Sequence, residues 1–83
     1  MEIFPNPTME LVKFTFPVEV AGEYKVLIHD MEGKLVKLLV QDWLAAGKAM
    51  LSFNAANLPA GTYNVSVLND HVKLFSDKLV VTR

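Results

Sequence analysis

The chain has 83 residues, a formal net charge of −1, 52% hydrophobic residues and 20% charged residues. This length predicts a single domain, and this apolar content supports a compact core and excludes a disordered tail. A net charge near zero excludes the strongly basic surface that binds nucleic acid or anionic lipid. Because the chain has no cysteine, disulfides, thiolate metal sites and a cysteine nucleophile are excluded.

The first regular segment is "MELVKFTFP", in which apolar and polar residues alternate. Val12, Phe14 and Phe16 fall on one face, which is the period of a half-buried β-strand. Pro17 ends this strand or places it at a sheet edge, because proline has no N–H to donate to a neighbouring strand.

The next segment, "EYKVLIHD", alternates in the same way and predicts a second strand. The residues Asp30–Lys34 follow it, and Gly33 supplies a residue that tolerates a positive φ. This composition predicts a hairpin loop.

The segment Lys34–Ala46 fits two structures. Leu35, Leu38, Leu39 and Trp43 would line one side of a helix that Gly47 could cap. The same residues also fit a strand from Lys34 to Val40 followed by a loop. Because every neighbouring segment predicts a strand, we favour the strand.

The second half of the chain predicts further strands separated by turns. Leu58–Gly61 fits a type I turn, and Gly61-Thr62-Tyr63 resembles a tyrosine corner, in which the hydroxyl bonds back to the preceding turn. Asn69-Asp70 predicts a second hairpin turn. We find no internal repeat, and the six or seven short strands are typical of a sandwich or small barrel.

No group of residues indicates catalysis, a metal or a cofactor. His29 and His71 are isolated, no serine lies in a glycine-flanked nucleophile elbow, and the acidic residues have no calcium-loop spacing. Trp43 fits a sugar-stacking platform or a membrane anchor, but more often such a tryptophan covers one end of a β core. We therefore expect a protein that is not an enzyme and that acts through its surface.

Four motifs occur in order along the chain: "FPNPT" at 4–8, "DMEGKLVKLLV" at 30–40, "NLPAGTYNVSV" at 57–67 and "KLVVTR" at 78–83. Together they resemble the C-terminal sorting domain of proteins exported by the type IX (Por) secretion system of Bacteroidetes-type bacteria. The positions that carry this resemblance are Pro5, Asn6, Pro7, Gly33, Gly61, Tyr63 and Lys78.

The resemblance implies an all-β fold, an immunoglobulin-like antiparallel β-sandwich of about seven short strands that occupies residues 1–83 as one domain. It also implies a non-catalytic signal that directs a cargo through the type IX outer-membrane translocon. The implied partners are this translocon, an outer-membrane shuttle, a sortase-like peptidase that removes the domain, and an N-terminal cargo domain in cis. The cargo would pass from the periplasm to the outer membrane, and then be anchored at the cell surface or released.

We further expect this segment to have been cut from the end of a larger secreted protein. The apolar final strand, "FSDKLVVTR", is suited to pair with a partner sheet through its backbone, or it pairs internally and completes the sandwich. We expect the recognised face to combine both ends of the chain: Pro5, Asn6, Pro7, Lys78, Leu79, Val80, Val81 and Arg83.

Two other interpretations remain open at this point. The first is a plain immunoglobulin-like or fibronectin-like module for adhesion, spacing or carbohydrate binding. The second concerns assembly, since exposed edge strands would permit a homodimer. An enzyme is the least favoured interpretation.

Overall fold

A computed structural model describes all residues, Met1–Arg83, as two antiparallel β-sheets without a helix. The strands are β1 (Glu2–Phe4), β2 (Leu11–Val18), β3 (Gly22–Asp30), β4 (Leu35–Leu44), β5 (Gly47–Asn54), β6 (Gly61–Asn69) and β7 (Val72–Val81). One sheet has the order β1-β2-β5 and the other the order β4-β3-β6-β7. The predicted antiparallel β-sandwich of seven strands is confirmed.

The core lies between the two sheets and follows the alternation of the sequence. Every second residue of β2, β3 and β6 is buried, so each of these strands turns one apolar face inward. The largest of the fully buried side chains are those of Tyr24, Phe14, Phe16, Ile28 and Leu79. The core is therefore built mostly from aromatic and β-branched side chains, which pack well on a pleated surface.

The ambiguous segment is a strand, as favoured, but the strand continues to Leu44, where a loop was expected after Val40. β4 pairs with β3 from Leu44 to Leu35, with two register shifts along the way. Its core-side residues Val36, Leu39, Val40 and Leu44 pack against the buried cluster. The residue pattern alone permits a helix or a strand, and pairing with the neighbouring strand β3 selects the strand.

Trp43 does not cover the core, so the prediction for this residue was wrong. It lies opposite Glu23 on the edge strand β4 and is 66% exposed. Leu44, the next residue, packs against the core instead. Successive residues of a strand point to opposite faces, so only one of the two can face inward.

Pro17 lies inside β2, which continues to Val18, and does not end the strand. β1 pairs only with Lys13–Thr15, so β2 has no neighbour on that side at Pro17. Its missing N–H therefore breaks no strand pairing there, as at a sheet edge.

The tyrosine corner is confirmed, and the structure contains a second one. The Tyr63 hydroxyl donates to the Pro59 carbonyl at 2.5 Å, and the Tyr24 hydroxyl donates to the Val20 carbonyl at 2.6 Å. Both tyrosines end the pattern Ala-Gly-x-Tyr, which sequence analysis did not identify as a repeat. Because β3 and β6 are antiparallel neighbours, the two corners fix opposite ends of the central strand pair.

The predicted hairpin loop at Asp30–Lys34 is confirmed. One carboxylate oxygen of Asp30 accepts hydrogen bonds from the backbone N–H groups of Glu32 and Lys34, each at 2.9 Å. Gly33 has a φ of 87°, in the left-handed region that costs other residues a steric contact with their own Cβ.

We expect Gly33→Ala to lower the free energy of unfolding by about 1 kcal/mol, because no atom crowds the new Cβ and only the backbone strain remains. Urea unfolding followed by circular dichroism measures this change. Lys34→Ala is the matched control, since its exposed side chain can be removed while the backbone bond to Asp30 is kept. Equal effects of the two substitutions would contradict the assigned backbone conformation.

Candidate recognition surface

Residues Pro5–Thr8, here called the crossing segment, connect the edges of the two sheets. They leave β1, at the edge of the three-stranded sheet, and reach β7, at the edge of the four-stranded sheet. The Thr8 N–H donates to the Val80 carbonyl and the Thr82 N–H donates to the Thr8 carbonyl, each at 2.8 Å. The crossing segment therefore covers the last part of the β7 edge.

Asn6 lies at the centre of the crossing segment and binds the β7 backbone through its side chain. Its Nδ2 donates to the Lys78 carbonyl at 2.8 Å, and its Oδ1 accepts from the Val80 N–H at 2.9 Å. A carboxamide, like a peptide group, carries both an N–H donor and a carbonyl acceptor. The Asn6 side chain therefore makes the hydrogen bonds that a neighbouring strand would otherwise make with β7.

The backbone edge is therefore occupied between Lys78 and Thr82, so the last part of β7 pairs within the chain, which is the second of the two alternatives given above. The physical reason lies in the motif itself. Pro5 and Pro7 have no N–H, so the crossing segment covers the edge without offering a regular new edge to another chain.

We expect Asn6→Ala to lower the free energy of unfolding by about 1.5 kcal/mol, because two hydrogen bonds to the backbone are lost. The Val80 amide should also exchange with solvent much faster, as measured by hydrogen exchange. Asn6→Asp keeps the acceptor for the Val80 N–H and should retain slow exchange there. Unchanged exchange of Val80 in the alanine variant would show that Asn6 does not hold this edge.

Arg83 fixes the other end of this region. Its guanidinium donates to the backbone carbonyls of Met9, Thr82, Ala55, Ala56 and Leu58. These carbonyls belong to three separate parts of the chain: the approach to β2, the loop between β5 and β6, and the end of the chain itself. A planar cation with several N–H donors suits such a group of acceptors.

The four sequence motifs converge at one end of the sandwich. Asp30 lies opposite Tyr63, Tyr63 lies opposite Leu79, and Thr8 lies beside Val81. We call this region the motif end; it comprises the crossing segment, the hairpin loop Asp30–Lys34, the turn Leu58–Gly61 and the residues Lys78–Arg83.

The family model of the secretion system C-terminal sorting domain matches residues 2–82. The chain belongs to this family. No curated protein matches the chain. The family match and the two-sheet architecture confirm the resemblance to the type IX secretion C-terminal sorting domain that the four motifs predicted.

The motif residues of the sorting domain divide into buried and accessible groups. Tyr63, Leu79 and Val81 are buried, with at most 6% of each side chain exposed, and Val80 is half-buried. The buried residues contribute to the fold, and no partner could contact their side chains in the folded state. The accessible motif residues are Pro5, Asn6, Pro7, Gly33, Gly61, Lys78 and Arg83.

The two histidines of the sorting domain do not form a site together. His29 lines one surface depression with Asn64 and Ser66, and His71 lines another with Glu23 and Asp70. No group of three or more histidine, cysteine, aspartate or glutamate side chains could hold a metal ion. The family of secretion sorting signals is non-catalytic.

One further observation concerns membranes. None of the elements is a helix that could span a bilayer.

Proposed function

We propose that the chain is the C-terminal sorting signal of a larger exported protein and directs a cargo domain, placed before it in cis, through the type IX translocon. The observation that supports this most strongly is the convergence of four sequence-distant family motifs at one end of the sandwich. A surface assembled from both ends of the chain exists only in the folded domain. The translocon would therefore read the folded sandwich and not a linear peptide.

The recognised residues in this proposal are the accessible members of the motif end. Pro5, Asn6 and Pro7 lie beside the end of β7, where Asn6 binds Lys78 and Val80, and the side chains of Lys78 and Arg83 are exposed. The buried residues Leu79 and Val81 and the half-buried Val80 hold this part of the chain in place. Gly33, Gly61 and Tyr63 set the turns that bound it.

The later steps follow the same proposal. An outer-membrane shuttle receives the cargo, a sortase-like peptidase removes the domain at or before its first residues, and the cargo is anchored at the surface or released. The domain itself catalyses none of these steps. Its route runs from the periplasm across the outer membrane to the cell surface or the medium.

A homodimer would have to use a free edge, and the longest is β4, since the last part of β7 is occupied. β4 carries two register shifts and an exposed lysine, Lys37, and both features disfavour pairing with another strand. We therefore propose the secretion machinery, and not a second copy, as the main partner of the domain.

The proposal is tested by fusing the chain to the C-terminus of a fluorescent protein that carries a periplasmic export signal, in a host with a type IX system. We expect fluorescence at the cell surface or in the medium, and retention in a host without the translocon. Export that is independent of the translocon, or retention in both hosts, would refute the sorting role and favour an adhesion or spacer module.

A matched pair of charge reversals locates the recognised surface. Lys78→Glu lies at the motif end, and Lys48→Glu lies opposite Pro17 at the other end of the sandwich. Both side chains are exposed, so both variants should fold. We expect export to fall at least tenfold only for Lys78→Glu; equal export of the two variants would place the recognised surface elsewhere.

A further inference from the structure

A depression of about 400 Å³ lies on the outer face of the four-stranded sheet. Its lining includes His29 from β3, Asn64 and Ser66 from β6, and Lys73 and Ser76 from β7. Leu27, Ser66 and Ser76 lie side by side across three strands. The neighbours of Leu27 and Ser66 along their strands are buried in the core, and Phe75, beside Ser76, packs against it. Two small side chains next to each other on a sheet surface leave room that longer side chains around them enclose.

Ser66 supplies a polar group at the floor of this depression. The residue is only 4% exposed, and its hydroxyl takes part in none of the side-chain hydrogen bonds of the protein. Every fully buried side-chain oxygen of the protein has a hydrogen-bond partner. Because the Ser66 hydroxyl has none, its oxygen must be partly accessible, and it opens into the depression that Ser66 lines. A nearly buried hydroxyl that faces a solvent-filled space has its hydrogen-bonding capacity free for a ligand.

The charged lining of this depression is cationic. Lys73 lines it directly, and the Lys78 ammonium is held beside it by a 3.2 Å hydrogen bond to the Asn64 carboxamide oxygen. Each of the three other depressions of the molecule has at least one acidic residue in its lining: Glu2, Glu19, or Glu23 with Asp70. In a chain of net charge −1, this separation of charge favours an anion at this one place.

We propose that this depression binds a phosphate group carried on a polyol. The lysines attract the phosphate, and the hydroxyls of Ser66 and Ser76 with the Asn64 amide bind its oxygens and the neighbouring hydroxyl groups. This binding is an activity separate from the sorting role, although the depression borders the motif end. Leu27, Lys73 and Ser76 lie outside the four motifs, whereas Asn64 and Ser66 belong to the third motif. A soluble polyol phosphate and the headgroup of a phosphoglycerol lipid share this chemistry.

The test is a titration of the isotope-labelled 83-residue chain with glycerol 1-phosphate, followed by amide chemical shifts, with glycerol as the uncharged control. A parallel assay measures binding to phosphatidylglycerol vesicles, with phosphatidylcholine vesicles as the control. We expect shifts centred on Asn64, Ser66 and Ser76. Binding of glycerol 1-phosphate identifies a soluble ligand, and binding of phosphatidylglycerol vesicles alone identifies a membrane source; both results support the site.

Two matched pairs of variants separate a specific site from general attraction. Lys73→Gln should weaken binding about fivefold, while Lys48→Gln, on the other sheet, leaves it unchanged. Ser76→Leu should abolish binding by filling the depression, while Ser52→Leu, also on the other sheet, leaves it unchanged. Equal shifts with glycerol, equal effects within either pair, or no binding of either phosphate source would overturn the proposal.

Discussion

Deletion of Leu79–Arg83 is expected to unfold the whole sandwich. Leu79 and Val81 are buried at 0% and 2% exposure, and removal of a buried side chain of this size costs about 2–5 kcal/mol. The deletion also removes both backbone hydrogen bonds of Thr8, to Val80 and Thr82, and all contacts of Arg83. A domain has a total stability of only about 5–15 kcal/mol, so this loss is enough to abolish the fold.

Circular dichroism and urea unfolding of the truncated chain measure this outcome. We expect no cooperative transition, while a chain that lacks only Arg83 keeps one. If the truncated chain unfolded with the midpoint of the intact chain, the assignment of Leu79 and Val81 to the core would be incorrect.

This expectation changes the meaning of a truncation experiment. Export of a reporter fused to the truncated chain would fail whether the last residues are read by the translocon or are needed only for folding. The charge reversal Lys78→Glu separates these causes, because the side chain is exposed and contributes little to stability.

The strands of the sandwich could be predicted because burial of one face leaves a direct mark on the sequence. In β2, Val12, Phe14 and Phe16 alternate with residues of the opposite face, and the structure buries all three. β4 lies at an edge and is nowhere fully buried, so its sequence carries no clear period and fitted a helix as well. Trp43 was misplaced for the same reason.

The contacts that organise the motif end could not be predicted in this way. Asn6 and Val80 are 74 positions apart in the chain. The local sequence around an asparagine does not show whether its side chain binds a distant strand or lies in an ordinary loop. Pro5, Asn6 and Pro7 were expected to share one recognised face with the last residues of the chain, but no contact between the two segments was predicted. The contact through Asn6 and the closed edge of β7 were visible only in the structure.

The two tyrosine corners show a signal that was present and overlooked. Gly61-Thr62-Tyr63 was identified as a corner, but the same Ala-Gly-x-Tyr pattern also occurs at the start of β3 and makes the same hydrogen bond through Tyr24. A search for this pattern at the start of every strand would have found both. It would also have related β3 to β6, the two central strands of the larger sheet.

Arg83→Ala is expected to lower the free energy of unfolding by about 2 kcal/mol, which corresponds to a fall in Tm of roughly 10 °C for a domain of this size. The guanidinium makes all five of these bonds through its two terminal nitrogens, which carry four protons, so at least one proton is shared. Without it, carbonyls from three parts of the chain lose a common donor. The loop between β5 and β6 should then open more readily than the strands.

Differential scanning calorimetry gives the change in Tm, and hydrogen exchange of the Leu58 amide, which donates to Ala55 within that loop, reports the local opening. Arg83→Lys keeps the charge, but a single ammonium cannot reach acceptors on several sides, so it should recover less than half of the loss. Lys78→Ala removes a cation of similar exposure with one side-chain bond and should change stability by about 0.5 kcal/mol or less. A full recovery of stability by lysine would mean that Arg83 acts by charge alone. The hydrogen bonds to carbonyls in separate parts of the chain predict instead that the planar guanidinium is needed to join the loop, the approach to β2 and the last residues into one surface.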